Sequence, residues 1–162
     1  MSQNFLDAHT GTYKGTLHLL YPNGNRDSVT MELLLQPAQQ TGHWQNTVRY
    51  FGENGAIGEV KAYEYVIDST VNDGAHYILD EKDGILITEV RIGNSFYANY
   101  TVDHMSYIVI TTYEDNYIDY ALSCYNLTAI RNSESEPDEE NISWKVDSFP
   151  LMTVQKGRLY KQ

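Results

Sequence analysis

Tyr107-Ile-Val-Ile-Thr-Thr-Tyr113-Glu-Asp-Asn116-Tyr117-Ile-Asp-Tyr120-Ala-Leu-Ser-Cys124-Tyr-Asn126 decides the fold. Two runs rich in Val, Ile, Thr and Tyr flank a short polar break at Glu114-Asp115-Asn116. β-branched and aromatic residues fit a pleated, half-buried surface, and two such runs a few residues apart make a hairpin. Working outward, the same grammar repeats along the chain. Runs at Gly11–Tyr21, Ser28–Leu35, His43–Phe51, Glu59–Ile67, Ala75–Asp80, Ile85–Ile92 and Ser95–Val102 precede the pair Ser106–Tyr113 and Tyr117–Ala129, and Leu151–Leu159 follows it.

The separators are residues that accept turn geometry: Pro22-Asn23-Gly24-Asn25, the glycine-punctuated 52–58 segment, Asn72-Asp73-Gly74, Lys82-Asp83-Gly84 and Gly93-Asn94. Asn-Gly between apolar runs is a strong hairpin signal, and the others tolerate positive φ. Tight turns between successive strands imply antiparallel pairing of neighbours, hence an up-and-down meander. A long meander either exposes two edges or closes, and closure removes the edges. The expected fold is therefore an all-β, up-and-down antiparallel barrel of eight to ten strands, spanning residues 1–162 as one domain. Asn132–Asn141 holds like charges and no apolar anchor, and is expected to be an exposed acidic loop open to proteolysis.

Two short segments resemble the lipocalins and their fatty-acid-binding relatives. Gly11-x-Tyr13 is similar to the Gly-x-Trp that opens their first strand, with a smaller aromatic. Thr111-Thr112-Tyr113, followed by Tyr117 and Tyr120-Ala121, is similar to the Thr-Asp-Tyr…Tyr-Ala segment where two late strands meet, with Thr112 in place of Asp. Because lipocalin-like chains often end with a basic side chain stacked on the first-strand aromatic, the resemblance implies Arg158 against Tyr13 as a barrel-closing pair. The resemblance implies a cavity that binds a small molecule.

Composition narrows the function. A net charge of −11 repels phosphate backbones and anionic lipid, which disfavours nucleic acid and membrane surfaces. No apolar run reaches the roughly eighteen residues a spanning helix needs, and the first residues lack the pattern of a signal peptide. Cys124 is the only cysteine, which favours a reducing, cytoplasmic compartment, with a processed secreted chain as the alternative. Three sequons, at Asn99, Asn126 and Asn141, do not overturn that reading, because the first two fall within predicted strands. The five histidines show no metal-ligand spacing, no cofactor motif is present, and no nucleophile sits beside a base in sequence.

What remains is the cavity wall. Alternation puts Tyr13, Leu17, Leu19 and Tyr21 on one face of the first strand and Trp44, Val48 and Tyr50 on one face of the third. Phe96, Ala98 and Tyr100, then Tyr107, Val109 and Thr111, then Ile118, Tyr120 and Leu122 make the more apolar faces of later strands. The expected ligand-binding residues are Tyr21, Val48, Tyr50, Phe96, Tyr100, Tyr107 and Tyr120, suited to a small, largely apolar or aromatic ligand. The faces of 59–67 and 85–92 are ambiguous. For the latter, the plain apolar wall of Leu86, Val90 and Ile92 is favoured over the register that buries Glu89 and Arg91. Two rival functions remain: an isomerase or cyclase on the same barrel, and a barrel filled by its own side chains that serves as an interaction module.

Overall fold

The computed structural model describes residues 4–71 and 73–162; Met1–Gln3 and Asn72, of the expected Asn72-Asp73-Gly74 separator, lie outside the described residues. One helical turn, α1 (Phe5–Ala8), precedes the strands. Nine of them follow in hairpin succession: β1 (Gly11–Leu20), β2 (Arg26–Pro37), β3 (His43–Phe51), β4 (Ile57–Ile67), β5 (His76–Asp80), β6 (Leu86–Ile92), β7 (Ser95–Val102), β8 (Met105–Tyr113) and β9 (Tyr117–Asn126). A small hairpin, β10 (Arg131–Glu134) with β11 (Lys145–Ser148), interrupts the run before β12 (Leu151–Lys161). Strands β1 to β9 and β12 form a closed antiparallel barrel of ten, with β12 inserted between β9 and β1. The expected meander is thus present, and its turns sit where glycine and aspartate take positive φ, at Gly24 (+87°), Gly93 (+63°) and Asp103 (+53°).

Closure happens at the seam of β1 with β12, where Gly15 pairs with Leu159 and Gly157 with Leu17. Here the two backbones approach more closely than side chains would allow. A Cβ on Gly15 would lie 2.1 Å from the carbonyl oxygen of Arg158, and one on Gly157 would lie 2.4 Å from that of Thr16. Both glycines are therefore required by close approach of backbone to backbone.

One end of the barrel is packed shut. The turn α1 is capped by Asn4, whose side chain accepts from the Leu6 amide, and it drops the fully buried Leu6 into the barrel. Phe5 packs against Phe96 and Tyr113, with ring centroids 5.8 and 5.9 Å apart. Phe96 in turn contacts Tyr77, Tyr65 and Tyr113, and Tyr77 meets Trp44. Two polar tips at this end find partners on α1 and its C-cap: Trp44 Nε1 donates to Asp7 at 2.8 Å, and the Tyr13 hydroxyl donates to the His9 carbonyl at 2.7 Å. The helical turn ahead of β1 thus serves as a plug.

The acidic segment is more ordered than expected. Asn132–Asn141 is not a loop throughout: Arg131–Glu134 pairs with Lys145–Ser148, and the acidic residues crowd the connection between them. Every residue of both short strands is exposed, including Val146. The hairpin leaves the barrel at the end opposite α1, between Asn126 and Pro150, which are themselves hydrogen-bonded across its base.

Two outcomes check this architecture. Gly15→Ala and Gly157→Ala should each lower stability by roughly 2–3 kcal/mol in urea unfolding, because backbone must move to admit the methyl. Gly58→Ala, whose Cβ would meet nothing nearer than 3.4 Å, should stay within about 0.5 kcal/mol of wild type. Limited proteolysis should cut within Glu136–Asn141 and leave the melting temperature of the nicked barrel nearly unchanged; first cleavage inside β8 or β9 would contradict the topology.

Candidate functional site

Strand pleating decides what reaches the interior. Successive side chains point to opposite faces, so each strand contributes either its odd or its even residues. In β3 the inward set is Trp44, Asn46, Val48 and Tyr50; in β4 it is Glu59, Lys61, Tyr63 and Tyr65; in β5 and the turn after it, Tyr77, Leu79 and Glu81. Phe96, Ala98, Tyr100 and Val102 of β7 face in, as do Tyr107, Val109, Thr111 and Tyr113 of β8 and Ile118, Tyr120 and Leu122 of β9.

Strand β6 corrects the sequence reading. Leu86 and Ile92 are 63% and 66% exposed, whereas Ile87 is buried and Glu89 is only 5% exposed. The odd residues face in. Gly93-Asn94 is a two-residue turn that pairs Ile92 with Ser95, Arg91 with Phe96 and Glu89 with Ala98. Paired residues share a face, so an inward Phe96 carries Arg91 and Glu89 inward with it.

Above the aromatic plug these faces leave space in two joined compartments. The inner one holds about 90 Å³ and is lined by Met31, Leu33, Asn46, Val48, Tyr65, Leu79, Ile87, Glu89 and Thr111, among others. The outer one holds about 510 Å³ and is lined by Leu17, Leu19, Val29, Glu59, Lys61, Tyr107, Leu122 and Gln155. Tyr50, Tyr63, Glu81, Tyr100 and Tyr120 border both, so the compartments meet across a ring of tyrosines. Tyr100 and Tyr107 stack with centroids 5.4 Å apart. The outer compartment reaches solvent at the end opposite α1, between exposed positions such as Val102 and Glu59.

Glu89 stands at the bottom. Its carboxylate accepts a 3.1 Å hydrogen bond from the Tyr65 hydroxyl and makes no salt bridge among the described residues. Burial pushes this carboxyl up to about 7, with the Tyr65 hydrogen bond pulling the other way. Burial also raises the hydroxyls of Tyr65, Tyr113 and Tyr120 well above the ordinary tyrosine range, and that of Tyr100 to about 12. These phenols keep their protons at neutral pH and can donate. Three buried polar atoms, Asn46 Oδ1, the Tyr113 hydroxyl and Arg91 Nε, lack a hydrogen-bond partner among the described residues. Arg91 turns toward the plug: Nη1 donates to the Gly93 carbonyl and the guanidinium lies 4.9 Å from the centre of the Phe5 ring.

Of the residues singled out from sequence, Val48, Tyr50, Tyr100 and Tyr120 border the inner compartment and Tyr107 the outer one. Phe96 is fully buried beneath them in the plug. Tyr21 lies past the end of β1, is 40% exposed, and lines neither compartment. Tyr13 is buried at the closed end, as its position in β1 requires. Arg158 does not reach it. The inward residues of β12 are the odd ones, Gly157 and Leu159, so Arg158 faces out, bonds Asp119 through two nitrogens at 2.7 Å, and covers the Tyr117 ring. The cation nearest the Tyr13 ring is Lys161, with Nζ 5.6 Å from its centre. The residues that sequence reading missed are Glu89, Asn46, Tyr63 and Tyr65. For Glu89 the two-residue turn at Gly93-Asn94 was the available signal.

No three His, Cys, Asp or Glu side chains gather as metal ligands would among the described residues. No helix among them is long and apolar enough to cross a membrane.

Neither a protein-family model nor a curated protein matches the sequence. Solved structures do match the fold. A protein of unknown function of the DUF3598 family from Nostoc punctiforme superposes with a TM-score of 0.65 at 8% identity, over 97% of this chain and 49% of that one. Rv2717c from Mycobacterium tuberculosis gives 0.60 at 12% identity, over 97% of this chain and 94% of that one. The chain therefore spans about half the length of the Nostoc protein. Likeness at these identities shows the ten-stranded barrel and nothing of its contents.

The buried carboxylate makes a stability prediction with a definite sign. A folded-state value near 7 against 4.5 unfolded means that Glu89 favours the native state fully below pH 4.5 and loses that contribution as pH rises through 7. Glu89→Gln should therefore gain roughly 3 kcal/mol over wild type on going from pH 4 to pH 8, measured by paired urea titrations. A difference that does not change with pH would contradict the burial of this charge.

Proposed function

We propose that the chain binds a small, largely apolar or aromatic molecule inside the barrel, in the manner of lipocalin-like carriers, with residues 1–162 forming one barrel domain. The observation that carries this reading is the joined cavity of about 90 and 510 Å³, open at one end and floored by aromatic rings at the other. Binding pockets of a few hundred Å³ with apolar walls and few convergent polar groups are the usual form of small-molecule sites. An interior filled by its own side chains would have supported the interaction module instead. Lipocalin barrels have eight strands and this one has ten, which widens the lumen. The ring of Tyr50, Tyr63, Tyr100 and Tyr120 supplies flat surface for a conjugated body and hydroxyls to orient it. The lone, buried Cys124 fits a reducing compartment such as the cytoplasm.

The two tryptophans make the test selective. Trp44 is buried in the plug, whereas Trp144 is 68% exposed on the β10–β11 connection. In a Trp144→Phe background, a panel of fatty acids, retinoids and flat aromatics should include members that change Trp44 fluorescence saturably. Tyr120→Ala should weaken such binding about tenfold and cost roughly 2–4 kcal/mol of stability. Tyr120→Phe should stay within about 1 kcal/mol in folding. A panel without a saturable member, together with an unperturbed Tyr120→Ala protein, would overturn the reading.

A further inference from the structure

The polar groups at the base of the cavity are unequal in kind. Glu89 is a carboxylate without a cationic partner among the described residues, held by one hydrogen bond from Tyr65. Asn46 is 4% exposed, borders the same space, and its Oδ1 has no partner among the described residues. Glu81 lies at the junction of the compartments and Glu59 at the rim. The one lysine among the lining residues, Lys61, belongs to the outer compartment and lies 3.5 Å from Glu59. Arg91, the inward cation of β6, is not among the lining residues: it turns to the Gly93 carbonyl and the Phe5 ring, and its buried Nε has no partner among the described residues. The deep end of the cavity therefore presents acceptors and negative charge, with phenolic hydroxyls around them.

A buried carboxylate is costly to leave unpaired, and a ligand that brings the missing charge removes that cost. A ligand that brings a second carboxylate adds like-charge repulsion in a poorly solvated space. We propose that the barrel selects an apolar, flat-bodied molecule with a protonated amine or similar cationic nitrogen, which descends to Glu89 and Asn46, and that it discriminates against carboxylate-headed lipids. The inference rests on the binding reading above and adds the chemistry of the head group. The body of the ligand lies along the tyrosine ring and the aliphatic wall of Met31, Leu33 and Val48; the ammonium pairs with the Glu89 carboxylate at the bottom.

The groups that face Glu89 set its pH dependence. They are Asn46 from β3, Tyr65 from β4, Tyr77 and Leu79 from β5, Ala98 and Tyr100 from β7, Thr111 and Tyr113 from β8 and Tyr120 from β9, with Glu81 at the junction and Arg91 on its own strand. The buried phenols of Tyr65, Tyr100, Tyr113 and Tyr120 hold their protons across the neutral range. Glu89 itself, pushed up to about 7 by burial, goes from mostly protonated at pH 6 to mostly ionised at pH 8. Affinity for a cation should rise with it, by roughly tenfold over that range.

Three probes with one body separate the possibilities: naphthalenemethylamine, naphthalenemethanol and naphthoic acid, titrated by calorimetry into the full chain at pH 6 and pH 8. The amine should bind at least tenfold tighter than the acid at pH 8, gain about tenfold between pH 6 and pH 8, and leave the alcohol unchanged by pH. Glu89→Gln preserves shape and can still accept from Tyr65; with its fold checked by circular dichroism, it should abolish both the amine preference and its pH dependence. If the acid binds as tightly as the amine in wild type, or the ratio survives in Glu89→Gln, the head-group inference is overturned while cavity binding stands. If none of the three probes binds and the wider panel also fails, both fall. The pH series on wild type alone decides the matter should the variant misfold: an amine affinity independent of pH overturns the inference.

Discussion

The barrel depends on the β1–β12 seam, where two glycines let one backbone lie against another. A side chain at Gly15 or Gly157 would collide with a carbonyl across the ladder, so the strands could meet only by separating. With the seam closed, ten strands share one hydrogen-bonded cylinder and no edge is left open. Closure also fixes which face of each strand is interior, because the period of two admits no intermediate choice. The location of every functional side chain then follows from register.

Ten strands enclose more room than their inward side chains fill. At one end the surplus is taken up by α1 and by a cluster of large rings, Trp44, Tyr65, Tyr77, Phe96 and Tyr113, with Trp44 anchored on Asp7 of α1. At the other end the inward residues stop short of one another and the space is continuous with solvent. The boundary between filled and open halves falls at Glu89. A carboxylate there has no structural use that an apolar side chain would not serve at lower cost, and its burial weakens the fold at neutral pH. Such a residue is best understood through what enters the cavity.

Much of this was legible in the sequence. Turn residues at regular spacing gave the meander, and alternation in β1, β3, β7, β8 and β9 identified their inward faces. The reading failed where a strand carries apolar and charged residues on both sides. In β6, Leu86, Val90 and Ile92 look like a wall, yet they face outward, because Phe96 across the two-residue Gly93-Asn94 turn holds Arg91 and Glu89 inside. Hydropathy of one strand was a weaker guide than its pairing with the next. Arg158 misled for a related reason: the resemblance to lipocalins suggested a stacking partner, whereas the parity of Gly157 and Leu159 turns it outward to Asp119. The hairpin at β10–β11 was hidden because its strands are short, exposed and flanked by acidic residues that read as a loop.

The register of β6 is the point from which the cavity's chemistry follows, and it can be observed at a single atom. A carbon-13 NMR titration of the Glu89 side-chain carboxyl, assigned by comparison with Glu89→Gln, reports its environment directly. The account predicts a midpoint near pH 7, far above the ordinary 4.5, because the group is desolvated at the base of the cavity. A midpoint near 4.5 would put the carboxylate in water on the outer face, reverse the register of β6, and remove the acceptor on which the proposed site is built.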